Sequence, residues 1–223
     1  MTQLSIGECG PDRNESLSQF YTPPRIAQRM VQSVGDVRLF RVLEPSCGLG
    51  ALLKPLAERG SGRIASEILS FGPMVVDAVD IDARNVEWCK ANIASNDDAD
   101  LRYERADYLK RPQPMEAFYD LGIVNPPYEN GQDGEFLAKM MRECIRIVAL
   151  IRTESLHGVA RYEQVWRHCD GPESPWVVRT VDALVRRANF GGGGGMIETS
   201  IVKLSRRKEH ENGSVRSCVG WCL

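Results

Sequence analysis

Apolar and polar positions along this chain follow two periods, one typical of strands and one typical of helices. Short apolar runs bounded by turn residues predict buried strands, and stretches with apolar residues three or four apart predict amphipathic helices. The predicted strands cover residues 39–44, 74–80, 101–105, 117–124, 147–151, 176–185 and 197–204. The predicted helices begin near residues 23 and 51 and cover residues 83–94, 135–146 and 154–168.

This order of elements predicts an α/β fold. Five strands that are each followed by a turn or a helix precede two final strands with a hairpin-like connection. That order favours a mixed, mostly parallel sheet of seven strands. A chain of 223 residues is long enough to form one domain of this kind.

The stretch that most limits the function is Asn125-Pro126-Pro127-Tyr128, which follows the fourth strand. Neither proline can donate to a strand ladder, and the first one restricts Asn125 to an extended conformation. The Asn125 side-chain oxygen and a proline carbonyl are two acceptors that can hold both hydrogens of a conjugated NH2 group. Tyr128 offers a flat face for stacking. Adenine N6, cytosine N4 and a glutamine amide all match this chemistry.

Acidic residues follow two of the other strands at the corresponding position. Asp80 ends the second strand and Asp107 follows the third. Because ligands of open α/β sheets bind at the carboxyl ends of the strands, we expect Asp80, Asp107 and Asn125 to line one site. An acidic residue at the second position typically holds a ribose diol, with Ile81 against an adenine, while Asp82 is a candidate helix cap.

A glycine-containing turn, residues 45–50, separates the first strand from the next helix. Gly48 and Gly50 allow a ligand to approach the backbone. The dinucleotide fingerprint requires a third glycine at the position of Leu53, so a nicotinamide cofactor is disfavoured.

Composition and charge narrow the class of protein only slightly. The net charge is −2, but residues 146–208 carry 11 Lys and Arg against 6 Asp and Glu, which fits a surface that faces phosphates. The seven cysteines form no CxxC pair and predict reduced thiols and no metal site. The sequence shows no signal peptide and no apolar run long enough for a membrane span, so we expect a cytoplasmic protein.

Taken in order, these motifs resemble those of the S-adenosylmethionine-dependent N6-adenine DNA methyltransferases of the Asn-Pro-Pro-Tyr class. The matching stretches are residues 20–24, 43–50, 80–82, 107–108 and 125–128. The resemblance covers residues 20–204. It implies a Rossmann-like class I methyltransferase fold with helices on both faces of the sheet and an antiparallel last strand.

The resemblance also implies a role for each matching residue. The residues expected to bind S-adenosylmethionine are Tyr21, Thr22, Glu44, Cys47, Gly48, Gly50, Asp80, Ile81, Asp107 and Tyr108. The catalytic residues would be Asn125, Pro126, Pro127 and Tyr128. The extruded base would stack between Tyr128 and Phe190.

The chain departs from this family at its ends. Residues 1–19 are polar and form an expected poorly ordered segment, residues 20–204 the catalytic domain, and residues 205–223 a tail that matches no known motif. No separate target-recognition domain is expected, which leaves sequence specificity weak, absent or supplied by a separate partner. In this respect the chain resembles the small methylases without a recognition domain that phages and mobile elements carry, and its motifs are those of restriction-modification methylases.

Three other functions remain open at the level of sequence. A protein glutamine-amide methyltransferase shares the Asn-Pro-Pro-Tyr turn, although it would not be expected to share residues 20–24 or the stretch 186–190. An RNA adenine methyltransferase fits the same motifs. A non-catalytic module that binds the cofactor or DNA would keep the fold, although the intact Asn125 and Tyr128 argue against it.

Overall fold

The structure is a computed structural model, and it describes residues 21–62, 72–113, 115, 118–184 and 198–207. Its strands are β1 (Arg41–Glu44), β2 (Met74–Asp80), β3 (Ala99–Arg105), β4 (Leu121–Val124), β5 (Arg146–Arg152), β6 (Trp176–Ala183) and β7 (Thr199–Arg206). Its α-helices are α1 (Pro24–Ser33), α2 (Leu53–Arg59), α3 (Ala83–Asn92), α4 (Gln132–Glu143) and α5 (Val159–Gln164).

The seven described strands form one sheet in the order β3-β2-β1-β4-β5-β7-β6. All pairs among β1 to β5 are parallel, and β7 runs antiparallel to both of its neighbours. The predicted mostly parallel seven-stranded sheet with an antiparallel last strand is therefore confirmed. The order reverses between β1 and β4, where a crevice opens at the carboxyl ends of the strands.

Apolar residues on each face of the sheet form a separate core. Val42 packs in the core that contains residues of α1, α2 and α3, whereas its neighbour Leu43 packs in the core that contains α4. This alternation follows from the two-residue period of a strand. Strands that are covered on both faces are almost wholly apolar, as β4 is, and they hold their carboxyl ends rigidly.

Three predicted elements differ from the structure. The expected helix 154–168 is divided into a 3₁₀ turn, the short α5 and a second 3₁₀ turn, because Gly158 has a φ of 92° and Val165 a φ of −128°. The expected strand 117–124 is paired in the sheet only from Leu121. Asp120, which precedes it, donates its backbone N–H to the Arg41 carbonyl (2.9 Å), and its carboxylate also accepts from the backbone N–H groups of Phe40 (2.8 Å) and Arg41 (2.9 Å).

Thr22 lies just before α1 and does not cap it. The N-cap is Pro23, which has no side chain that can accept, and Pro24 occupies the first helical position. The Thr22 side chain is therefore available for a contact outside the helix. By contrast, Asp82 caps α3 as expected, since its carboxylate accepts from the Arg84 N–H.

Several predictions fall outside the described residues. They concern Phe190, residues 1–19 and nearly all of the tail, so the expected domain limits stay predictions. Within the described ranges, no helix is both long enough and apolar enough to cross a membrane.

Candidate active site

A cleft of about 250 Å³ opens at the carboxyl ends of the central strands. Asp80, Asp107 and Asn125, the three strand-tip residues expected to meet, all line it. The other lining residues are Tyr21, Pro45, Ser46, Gly48, Ile81, Asn85, Ala106, Tyr108, Leu109, Pro126, Pro127, Glu129, Asn130, Gln132 and Phe136. The cleft therefore brings together residues from five segments of the chain.

Asn125 lies directly after β4 and borders the cleft. Its backbone carbonyl accepts a hydrogen bond from the Ser46 hydroxyl at 3.1 Å, which ties this turn to the turn after β1. Within the described residues no hydrogen bond reaches the Pro126 carbonyl, and Pro126 also lines the cleft. The carbonyl that remains available to a ligand in this turn is therefore that of Pro126.

The Asn125 side chain is held at both ends of its amide. Its Nδ2 donates to Thr22 Oγ1 at 3.0 Å, and its Oδ1 accepts from the Tyr128 hydroxyl at 2.6 Å. In this orientation the Thr22 hydroxyl acts as an acceptor and the Tyr128 hydroxyl as a donor. A carbonyl oxygen has two lone pairs and can accept two hydrogens at once.

Tyr128 is buried, with 5% of its surface exposed, and the structure does not place it on the cleft wall. Its hydroxyl lies 3.4 Å from the Leu150 carbonyl as well as near Asn125, and the Arg152 guanidinium lies 5.4 Å from its ring centre. Burial raises the pKa of Tyr128, so the hydroxyl stays protonated and can donate. In this structure the ring supports Asn125 and does not face a ligand, which differs from the expected stacking role.

Gly48 forms a close contact with Tyr21 on the other side of the cleft. Gly48 has a φ of 51°, and a Cβ at this position would lie 3.2 Å from Cδ1 of the Tyr21 ring. Glycine is favoured here both by the left-handed backbone and by the close approach of the ring. The Tyr21 hydroxyl donates to Asn85 Oδ1 at 3.3 Å, which holds the ring in place.

The Asp80 carboxylate lines the cleft and also organises its floor. It accepts hydrogen bonds from the Gly48 N–H (2.7 Å), the Asp82 N–H (2.8 Å) and Asn85 Nδ2 (3.3 Å). Burial raises the pKa of Asp80, and the two backbone hydrogen bonds oppose that shift. Ile81, the next residue, is 49% exposed and presents an apolar side chain to the cleft.

Asp107 and Tyr108 form the wall after β3. The side-chain hydrogen bond with Lys110 (2.9 Å) lowers the pKa of Asp107, so its carboxylate is an acceptor at neutral pH. Tyr108 is buried, and its hydroxyl donates to Glu143 Oε2 at 2.8 Å. The buried Lys139 ammonium donates to the Tyr108 carbonyl at 2.7 Å and holds the turn that carries Asp107.

Four of the expected cofactor residues lie behind the cleft wall and do not line it. They are Thr22, Glu44, Cys47 and Gly50. Glu44 is 2% exposed, its Oε2 has no partner among the described residues, and burial raises its pKa well above the usual range. Cys47 is buried as well, and a Cβ on Gly50 would clash with Ile93 at 2.2 Å, so these two positions set the shape of the turn.

Sequence reasoning missed several residues of the cleft. Asn85, which joins Tyr21 to Asp80, is 1% exposed, and a polar residue on the inner face of an amphipathic helix was the signal that could have found it. Lys139 could have been found in the same way on α4, since its ammonium is buried. Glu129, Asn130, Gln132 and Phe136 were also missed, and they come from a loop and helix start that carry no motif.

The cleft fits a ligand with a diol, an exocyclic amine and a cationic centre. Asp80 and Asp107 are acceptors on adjacent strand tips, Ile81 supplies an apolar surface, and Gly48 removes the Cβ that would narrow the floor. Asn125 and Pro126 add two acceptors at the far side. S-adenosylmethionine has these three groups, and an amine to be methylated would lie between it and Asn125.

Comparison with known proteins relates the chain to methyltransferases. Residues 40–149 match the family model of the methyltransferase small domain. No curated protein sequence matches the chain.

Solved structures of similar shape come from several kinds of methyltransferase. The modification subunit of a proposed type I restriction enzyme from Vibrio vulnificus has a TM-score of 0.68 at 16% identity, covering 91% of this chain and 46% of its own. A proposed RNA methyltransferase from Pyrococcus horikoshii has a TM-score of 0.62 at 18% identity, covering 91% of this chain and 95% of its own. Magnesium protoporphyrin IX methyltransferase from Synechocystis, with bound S-adenosylmethionine, has a TM-score of 0.53 at 14% identity, covering 82% and 77%.

These likenesses confirm the Rossmann-like class I methyltransferase fold with S-adenosylmethionine as its cofactor. The chain spans about half the length of the restriction-enzyme subunit that it matches and nearly all of the proposed RNA methyltransferase. The identities are too low to transfer a substrate from any of these proteins.

Proposed function

We propose that this chain, a methyltransferase that uses S-adenosylmethionine, transfers a methyl group to the N6 amine of adenine in DNA. The observation that carries the proposal is the position of Asn125, whose amide borders the same cleft as Asp80 and Asp107. A planar exocyclic amine has two hydrogens to donate, so an enzyme that methylates it needs a hydrogen-bond acceptor, such as this amide, beside the cofactor.

The acceptor amine would be held by two oxygen atoms of the chain. Asn125 Oδ1, which also accepts from the Tyr128 hydroxyl, is one acceptor, and the Pro126 carbonyl is the second. Two hydrogen bonds to the NH2 hydrogens draw the nitrogen toward tetrahedral geometry, which frees its lone pair from the ring. The hydrogen bond from Asn125 Nδ2 to Thr22 Oγ1 restricts the motion of the Asn125 side chain and so helps to position its oxygen.

When bound, S-adenosylmethionine would supply a methyl group on a cationic sulfur. The sulfur would keep the electron pair of the broken bond and leave as a neutral thioether. The amine nitrogen uses its lone pair to form the new bond to carbon, and one N6 proton is then lost to water. Asn125 is not a base, so its part is to orient the amine and to stabilise the positive charge that develops on nitrogen. The step therefore requires no general base from the chain.

The other cleft residues would bind the cofactor. Asp80 is proposed to hold the ribose hydroxyls and Ile81 to contact the cofactor adenine, while Asp107 accepts from its exocyclic amine. Tyr21 and Gly48 would lie beside the methionine portion. The buried Glu44, Cys47, Gly50 and Tyr108 would support these contacts from behind.

An adenine in a duplex hides its N6 from this cleft, so the base must be extruded. We propose that Tyr128 contributes mainly through its hydroxyl, which positions Asn125. Stacking on the base would require the ring to leave the buried position it has here. Phe190 stays a candidate for the stacking residue from sequence alone.

RNA adenine is a second candidate substrate. The observation that favours it is the match to a proposed RNA methyltransferase, which covers 91% of this chain and 95% of that protein at 18% identity. Asn125 and Pro126 would hold the amine of an RNA adenine in the same way, and only the contacts of the surface around the cleft would differ.

Methyl transfer from labelled S-adenosylmethionine tests the proposal directly. Duplex DNA, structured RNA and a translation release factor are supplied in parallel to the same preparation, and the labelled position is identified by mass spectrometry of the digested product. We expect N6-methyladenine in DNA. Label confined to RNA or to a glutamine amide would replace the proposed substrate, and cofactor binding without any transfer would indicate a non-catalytic module.

A further inference from the structure

A second concave surface lies at the opposite end of the sheet from the active-site cleft. It is a groove of about 540 Å³, which we call the amino-edge groove, because it borders the first residues of β4 and β5. Its lining residues are Val34, Val37, Leu121, Ile145, Arg146, Ile147, Val148, Arg179, Lys203, Leu204, Ser205, Arg206 and Arg207. A volume of this size is sufficient for a group such as a nucleotide.

Strand register places two of the basic residues on one face of the sheet. Arg146 pairs with Ser205, and Val148 pairs with Lys203, in the antiparallel ladder of β5 and β7. Directly paired residues point to the same face, and alternate residues do so too, so Arg146 and Lys203 are diagonal neighbours. Their charged ends therefore share the groove.

The groove is strongly basic. Five of its thirteen lining residues are Arg or Lys, and none is Asp or Glu. Among the described residues, no ion pair involves Arg146, Lys203 or Arg206. Arg206 donates to the backbone carbonyls of Cys144 and Arg142, which fixes its guanidinium without neutralising its charge.

Like charges this close to one another cost stability unless an anion balances them. A guanidinium and an ammonium on one face of the groove suit phosphate groups, since Arg forms bidentate hydrogen bonds with phosphate oxygens and Lys binds them as a point charge. We propose that the amino-edge groove binds the phosphate groups of a nucleic-acid backbone. This inference rests on the proposed function for its choice of nucleic acid as the polyanion.

The groove would hold a different part of the nucleic acid from the target base. Leu121 and Val124 are the first and last residues of β4, and Asn125 follows at the cleft end. A strand of this length separates the two sites by roughly 13 Å or more. The nucleotides bound in the groove would therefore flank the segment that presents its base to Asn125.

Binding of a fluorescent 20-residue oligonucleotide, measured by anisotropy across a salt series, tests the proposal. We expect the double variant Arg146→Gln/Lys203→Gln to lower the affinity roughly tenfold and to reduce the slope of log K against log salt by about 1.5–2, which corresponds to two lost phosphate contacts. Binding of S-adenosylmethionine should stay unchanged, because neither residue lines the cleft. The melting temperature of the free protein should not fall, because the variant removes like-charge repulsion.

A matched control removes two positive charges elsewhere. Lys90→Gln/Arg102→Gln acts on exposed side chains of α3 and β3, at the other edge of the sheet, with the same change in net charge. Equal effects of the two double variants would mean that only net charge matters and would overturn the proposal. Competition by inorganic phosphate or a mononucleotide at the oligonucleotide's own affinity would show a small-molecule site and would overturn it as well.

The result of this binding experiment can be distinguished from the result of the methyl-transfer experiment. Loss of methyl transfer to every nucleic acid, with the groove-dependent salt slope intact, would remove the enzymatic proposal and leave the binding site. Methyl transfer to DNA, together with no effect of the groove variant on oligonucleotide binding, would remove the binding site and leave the enzymatic proposal.

Discussion

The two sides of the cleft are held in place by different kinds of contact. On the cofactor side, Asp80 is fixed by backbone N–H groups of its own turn and of the turn at Gly48. On the acceptor side, the Asn125 amide is fixed by two hydroxyl groups, one of them Thr22, which lies 103 positions earlier in the chain. The cofactor side therefore depends mainly on backbone geometry, whereas the acceptor side depends on side chains.

This difference predicts which substitutions should affect binding of S-adenosylmethionine and which should affect the rate of methyl transfer. Changes on the cofactor side should weaken S-adenosylmethionine binding. Changes on the acceptor side should slow methyl transfer while the cofactor still binds. Four variants test that division and a fifth tests the buried Glu44, and they follow in order of expected effect.

Asn125→Ala should have the largest effect. It removes one of the two acceptors for the amine, so kcat should fall by about 10³-fold, comparable to the loss of one oxyanion-hole donor. The cofactor Kd from calorimetry should change less than twofold. Asn92→Ala, on the exposed end of α3, is the matched control. Equal loss of cofactor binding and transfer would mean that Asn125 is structural.

Asp80→Asn should act on the other side of the comparison. It removes the charge that we expect to hold the ribose, so the cofactor Kd should rise roughly 10- to 100-fold, the range for a hydrogen bond to a charged group. At saturating cofactor, kcat should recover to within a few-fold of the original. Asp100→Asn on the surface of β3 controls for net charge. An unchanged Kd would contradict the assignment of Asp80.

Thr22 distinguishes positioning from cofactor binding. Thr22→Val keeps the shape but loses the acceptor for Asn125 Nδ2, so kcat should fall about tenfold while KM for S-adenosylmethionine stays constant. Thr22→Ser keeps the hydroxyl and should restore the rate. A rise in KM without a change in kcat would instead support the role that the resemblance implies, contact with the methionine carboxylate.

Tyr128→Phe separates the hydroxyl from the ring. Loss of the bond to Asn125 Oδ1 should lower kcat by roughly 3- to 10-fold. The fluorescence of 2-aminopurine at the target position, which reports base extrusion, should be unaffected. If Tyr128→Phe is fully active and Tyr128→Ala is not, the ring acts by stacking and the positioning role fails.

Glu44→Gln should change stability and its pH dependence more than catalysis. Burial raises the pKa of Glu44 in the folded protein, so the folded state binds more protons than the unfolded state between the two pKa values. The free energy of unfolding should therefore fall as pH rises from about 4.5 through the folded pKa. Glu44→Gln, measured by urea unfolding at several pH values, should reduce this fall by about 1–3 kcal/mol. An unaltered pH dependence would contradict the burial argument.

The sequence predicted most of the sheet because its strands are covered on both faces. Residues 74–80 and 147–151 are apolar runs whose length allows almost no other element, and both lie in β2 and β5 as expected. The prediction failed where local geometry competes with periodicity. Gly158 interrupts a stretch that is otherwise helical in pattern, and the expected strand 117–124 belongs to β4 only from Leu121.

The candidate site was predictable where it depends on strand ends. Parallel strands bring their carboxyl ends to one edge, so Asp80, Asp107 and Asn125 could be placed together from the order of elements alone. Asn85 and Lys139 were not found, because a buried polar side chain on a helix shows its partners only after the helix has docked on the sheet.

The sequence by itself determined the α/β order, the polar residues at the strand tips and the Asn-Pro-Pro-Tyr turn, since each depends on neighbours within a few residues. Only the tertiary structure decided that Thr22 bonds Asn125, that Tyr128 is buried, and that Arg146 and Lys203 share a groove. Such contacts join residues that are distant along the chain, and their geometry is set by the sheet register and the docking of α1, which no local pattern of residues encodes.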